Sequence, residues 1–383
     1  MLISNNNHYI KQMRVNFTTV LFLTLIILYF FTNLAFFFFG HIGFIYVNYA
    51  IGIVFLLIKI NRIGFYGYIY LIMTIFSGTV TILHNDYIAG YNFIPMVFSS
   101  IGVAAYLVDL RLSSAKFLFS FVSLVYWLYC IFIFQYYFFV DFDLSSTLHQ
   151  SPNHISVFMI AWLAFLFLIG KKVGKELGFS YYLSFFILIL MSGSISGIFT
   201  AFMILVFYCY NRFGLTKSFV VAAFVLLLIF SNFEMLIDTF PIIEAKFSQK
   251  IERENTDIRW DIYKYYFNNV SISQLIFGGP TESMLWSIYS PSLNKYIESY
   301  NLHSSYLLLL AKFGLPLSLF FILLIIYPVM RGFKTHPAES IFLLAIMVRA
   351  FSDTVFFSLG SFNWIVFFLT FSILRHHYPS RSR

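Results

Sequence analysis

Val15–Phe39 contains no charged residue, and the chain repeats that pattern to its end: long apolar runs joined by short junctions, with lysine and arginine gathered at every second junction. A soluble domain cannot be built this way. Charged residues make up 10% of the sequence against 60% hydrophobic ones, and mean hydropathy is +0.83, whereas about a quarter of a soluble domain is charged. Roughly 20 apolar residues cross a bilayer as a helix, and a helix satisfies its own backbone polar groups there. The predicted fold class is an all-α integral membrane protein with about 12 transmembrane helices and one long extramembrane loop.

The junctions set the orientation. Lys11 and Arg14 precede the first run, Ile42–Ile58 leads to Lys59 and Arg62, and Ile63–Leu83 leads to a junction without lysine or arginine. Phe93–Leu110 returns to Arg111 and Lys116, Phe117–Val140 leads away, and Ile155–Gly170 returns to Lys171, Lys172 and Lys175. Phe179–Tyr210 is long for one span and is interrupted by Ser192-Gly193-Ser194-Ile195-Ser196-Gly197. Read as two short helices, it keeps Arg212 and Lys217 on the basic side. Ser218–Phe230, Ser304–Met330, Pro337–Leu359 and Phe362–Leu374 continue the alternation. Sixteen of the 24 lysines and arginines then fall on one side, which the positive-inside rule makes cytoplasmic.

Both termini are therefore expected in the cytoplasm and the long loop on the outer face. The predicted parts are an N-terminal bundle of about nine spans over 1–232, the loop over 233–302, and a C-terminal bundle of about three spans over 303–383. The +8 net charge reflects orientation rather than nucleic-acid binding. Met1–Arg14 leads into a run too long for a cleaved signal, so the first span is expected to direct its own insertion. Cys130 and Cys209 each sit in an apolar run, and no disulfide is expected.

Ser231–Tyr306 is the one long polar stretch, with six cations and nine anions. Ile242–Tyr266 has apolar residues at Phe247, Ile251, Ile258, Ile262 and Tyr265 or Tyr266, the pattern of an amphipathic helix on a membrane surface. Most of its charges form a solvated face. Arg259, beside Trp260, stands out because a guanidinium grips phosphate with two parallel hydrogen bonds. His303 falls where the loop meets the next helix. The dipole at a helix N-terminus disfavours a protonated imidazole, leaving a neutral base, although an interfacial histidine facing water reads equally well. Arg349 and Asp353 lie four apart in an apolar helix, as does Lys312 in another; charges inside a bilayer mark pathways or sites, or satisfy themselves as an i,i+4 pair. Asp141-Phe142-Asp143 has carboxylate spacing but is weak ground for a metal, and no other metal or phosphate-loop motif is present.

Taken together, Arg259-Trp260, the turn Ile276-Phe277-Gly278-Gly279-Pro280, and His303-Ser304-Ser305-Tyr306-Leu307 running on to Lys312-Phe313-Gly314-Leu315 resemble the signature of the bacterial O-antigen polymerase and ligase superfamily. Ser151-Pro152-Asn153-His154 resembles that family's Pro-Asn start of a middle helix. Two positions depart from its pattern. Ile195 stands where a Ser-Arg-Gly-like motif would carry arginine, and Ser304 where asparagine usually follows the histidine. The resemblance implies glycosyl transfer from an undecaprenyl-diphosphate-linked oligosaccharide at the periplasmic face of the inner membrane, without metal or other cofactor. In that scheme His303 is the base, Arg259 binds the diphosphate, and Arg349 or Lys312 replaces the missing arginine. The implied partners are the lipid-linked donor and acceptor, membrane lipid and a chain-length regulator protein, with no nucleic acid. The aromatic-rich, divergent sequence favours a polymerase. A ligase acting on lipid A core is the alternative, and a lipid-linked oligosaccharide flippase, which has little use for a long outer loop, is the rival.

Overall fold

The computed structural model describes residues 17–84, 87–140, 152–231, 258–279, 288–290, 295–297, 304–352 and 363–375. Among the described residues, eight α-helices precede the loop: α1 Phe17–Phe39, α2 Gly43–Lys59, α3 Gly64–Leu83, α4 Tyr87–Val108, α5 Leu112–Phe139, α6 Pro152–Lys172, α7 Phe179–Ser192 and α8 Ile195–Ser231. The loop contributes α9 Ile258–Asn269, α10 Ile272–Phe277 and a short antiparallel hairpin, β1 Ile288–Ser290 with β2 Lys295–Ile297. Three helices follow: α11 Ser305–Gly332, α12 Pro337–Ser352 and α13 Asn363–Arg375.

Every predicted apolar run coincides with one of these helices or with half of one. Among the described residues, seven helices are long and apolar enough to cross a membrane, and three shorter apolar helices join them. The long α8 is two helices in one, because Gly214 breaks it at φ 80° and ψ 172°, a conformation open chiefly to glycine. The predicted interruption at 192–197 is also present. Gly193 caps α7 in the left-handed region, and α8 doubles back: Tyr182 stacks on Tyr208 at 4.1 Å and Arg212 reaches Glu176 at 3.3 Å. The pair α7–α8 is therefore an antiparallel hairpin with its bend at Ser192–Ser194. The β-hairpin was not anticipated. It pairs Tyr289 with Tyr296 in a loop read from its sequence as helix and turn.

Small residues let the first helices approach closely, as membrane helices do where no hydrophobic force drives them together. A Cβ on Gly102 would lie 2.1 Å from the Gly52 carbonyl oxygen, so α2 and α4 touch backbone to backbone and run parallel. The bundle centre is aromatic. Phe30 of α1 meets Phe165 of α6 at 4.8 Å and Trp364 of α13 at 5.2 Å.

Cations assigned to a single side from sequence do collect at one end. Lys59 and Arg62 both lie 3.2 Å from the buried Asp109 carboxylate, and Lys172 donates to the Val108 carbonyl at 2.7 Å. Lys171 pairs with Glu339 at the start of α12. We call this the basic end of the bundle. Both cysteines are free and buried.

Candidate functional site

The end of the bundle opposite the basic one is formed by the starts of α6 and α8, the end of α12 and the start of α11. Arg349 lies at their junction with none of its surface exposed. Its Nε donates to Ser156 Oγ on α6 at 3.2 Å. Its Nη1 donates to Ser196 Oγ on α8 and to Ser352 Oγ on its own helix, the latter at 2.9 Å. The antiparallel packing of α12 on α6 explains the placement: Phe167 meets Phe342 at 5.4 Å near the basic end, and seven residues further along α12, at about 1.5 Å each, the next turns reach Ser156.

The guanidinium thus rests on Ser196, the residue after Ile195, where the resemblance expects an arginine. Gly197 makes the junction tight, since a Cβ there would lie 2.7 Å from the Ser156 Cβ. The serines escaped the sequence reading, though Ser196 and Ser156 lie in or beside the Ser/Gly and Pro-Asn motifs it selected. Its expected partner, Asp353, is outside the described residues.

The start of α11 meets the same place. Ser304 is its N-cap and accepts from the Leu307 N–H at 3.5 Å, and Tyr306 Oη donates to the Met347 carbonyl of α12 at 2.9 Å. Ser304 Oγ lies 3.5 Å from the carbonyl oxygen of Ala350, the residue after Arg349. His303 immediately precedes this cap in the sequence and is outside the described residues.

The loop is fastened to the first three turns of α11. A capping box between Ser271 and Gln274 opens α10, and Gly278 ends it at φ 78°. Gly279 N–H then donates to the Ala311 carbonyl at 2.9 Å. Opposite, α11 breaks at Gly314 with φ 73° and ψ 174°. A Cβ on Gly278 would lie 2.2 Å from the Lys312 carbonyl oxygen, and one on Gly314 would lie 2.1 Å from that of Ile276. The Gly-Gly turn and the Phe-Gly-Leu step, two separate motifs in the sequence, are therefore two sides of one backbone contact. His84 at the end of α3 adds a ring-nitrogen contact to the Phe277 carbonyl at 3.1 Å. Lys312, half-buried, is at the kink itself.

Arg259 is in the first turn of α9. The surface helix predicted over Ile242–Tyr266 is seen as Ile258–Asn269; residues 242–257 are outside the described residues. Its apolar side faces protein: Ile262 and Tyr266 are buried against Leu307 and Ala311 of α11. Burial pushes the Tyr266 hydroxyl up to about 12, so it stays neutral at physiological pH. Asp141 and Asp143 are outside the described residues. Replacing Gly278 with Ala is expected to unfasten the loop, because a positive-φ alanine costs about 1–3 kcal/mol before any clash is counted. Limited proteolysis in membranes should then cut between residues 232 and 303 faster in the variant than in the wild type.

These features define a polytopic helical membrane protein with a candidate site at one end of its bundle, built around a buried arginine, a serine-capped helix start and a fastened loop. Residues 179–322 match the family model described as O-antigen ligase, and this stretch contains α7, α8, the loop and the first part of α11. No curated protein and no solved structure matches the chain. The match supports a relation of this stretch to the O-antigen polymerase and ligase superfamily, whose members are glycosyltransferase-like enzymes that process O-antigen.

Proposed function

We propose that this protein polymerises undecaprenyl-diphosphate-linked oligosaccharide repeat units into O-antigen at the periplasmic face of the inner membrane, with both termini in the cytoplasm. The observation that carries the reading is the buried Arg349, held by hydroxyls from α6, α8 and α12 beside the helix start that follows His303. In the reaction, the bond between the anomeric carbon of the donor sugar and its diphosphate breaks. An acceptor hydroxyl forms the new glycosidic bond and gives its proton to His303. The leaving diphosphate needs compensating positive charge rather than a proton, and preorganised cations in a dry site stabilise it best. Arg349 supplies one such charge, with Lys312 at the kink and Arg259 on α9 bringing others from the loop side.

Purified protein supplied with a defined lipid-linked repeat tests this directly. Products of two and more repeats on the lipid carrier, without lipid A core present, are the expected result; transfer seen only onto lipid A core identifies a ligase instead. In a deletion strain, single repeats on the surface lipid support the polymerase, while repeats trapped inside the cell support a flippase. Arg259→Lys keeps the charge and loses the guanidinium fork. Turnover with that variant should fall about ten- to hundredfold, the worth of one charge-assisted hydrogen bond, with the normal amount of protein in the membrane.

A further inference from the structure

At the basic end, about one helix length from Arg349, a cavity of ≈ 480 Å³ opens between α6, α7, α8 and α12. Its size lies within the range of pockets that enclose small-molecule ligands. Its lining is mainly apolar, Phe207 of α8 and Ile341 of α12 included, and its polar side chains are Lys171, Lys175, Glu176, Asn211 and Arg212, with a net positive charge. Lys171 is committed to Glu339. Arg212 pairs with Glu176, but both side chains are more than half exposed, and such pairs contribute little. Lys175 makes no ion pair among the described residues; its Nζ lies 5.4 Å from the Phe119 ring.

We infer that this cavity is a binding site for an anionic glycerophospholipid of the leaflet at the basic end. Lys175 and Arg212 would hold the phosphate, Asn211 the glycerol oxygens, and the walls of Phe207 and Ile341 the upper part of an acyl chain. The charge and the shape each limit the choice. A zwitterionic headgroup gains little from a rim with net positive charge, and a free phosphate leaves the apolar walls empty. Phospholipid in a bilayer is present at high local concentration, and each cation near an anionic surface adds about 1 kcal/mol of attraction. The inference does not rest on the glycosyl-transfer reading, since none of these residues belongs to the Arg349 end.

The test uses full-length protein in detergent, reloaded from mixed vesicles of equal phosphatidylglycerol and phosphatidylcholine and read by native mass spectrometry. Selective retention of phosphatidylglycerol by the wild type is expected, and equal retention of both lipids overturns the site without reference to any variant. The K175Q/R212Q double variant alters two exposed side chains and should lose phosphatidylglycerol about tenfold or more. Lys334→Gln, at the same end but outside the cavity, should lose none. Unchanged retention by the double variant, or complete displacement by glycerol phosphate at a concentration matching the lipid, also refutes the proposal.

Discussion

Arg349→Ala is expected to stop chain growth, with turnover reduced at least about a hundredfold, the usual cost of removing one preorganised charge-stabilising donor. The same change should lower thermal stability, because Ser156 and Ser196 lose a charged donor that is itself fully buried, at about 1.5–3 kcal/mol per charge-assisted bond. The two effects are separable. Arg349→Lys keeps a cation but reaches fewer of the three hydroxyls, so it should recover more folding than activity. Ser196→Ala leaves the guanidinium in place with one anchor fewer, and should raise the donor concentration needed for half-maximal rate more than it lowers the maximal rate. The checks are polymer length on gels from a complemented deletion strain, membrane abundance by immunoblot, and melting of the purified protein. Wild-type polymer from Arg349→Ala at normal abundance would remove this arginine from the mechanism.

His303→Ala should abolish polymer while leaving the melting temperature unchanged. A positioned general base contributes about 10²–10⁴-fold, whereas the cap that starts α11 is Ser304, so the helix keeps its cap when the preceding imidazole is deleted. This combination of full activity loss with intact folding is what distinguishes a base from a packing residue. His303→Gln, which keeps hydrogen bonding but cannot take a proton at neutral pH, should be as inactive as the alanine variant. Polymer of normal length in either variant rejects the assignment.

The periodic part of this architecture was legible from its residues. A membrane span leaves a run of apolar residues and a tally of cations, so the helices, the bend at Ser192–Gly197 and the collection of Lys59, Arg62, Lys171 and Lys172 at one end could be read directly. Arg349 also announced itself, because a charge in Leu-Leu-Ala-Ile-Met-Val-Arg-Ala has few bland explanations. Its partners did not. Ser156 and Ser196 are distant in sequence and ordinary in type, and only the antiparallel packing of α6, α8 and α12 brings them to one guanidinium. The apolar face of α9, expected on the membrane surface, packs on α11 instead for a related reason. Amphipathic spacing reports that Ile262 and Tyr266 need cover, without saying whether lipid or α11 supplies it. The Gly278–Gly314 contact is the extreme case, since its participants have no side chains through which sequence could signal a partner.

That contact has a consequence for how the loop can vary. Gly279, bonded to the Ala311 carbonyl, and the Ser304 cap flank the stretch 280–303, so both of its flanks are tied to the same short part of α11. It is a closed excursion rather than a bridge between distant helices. Closing such an excursion costs entropy that rises only logarithmically with its length, about 0.6 kcal/mol for each doubling. Insertions and deletions between the two ties and short of His303 therefore leave the position of Arg349 undisturbed. The fold separates a part that must keep its dimensions from the stretch 280–302, whose length the two ties leave open to change.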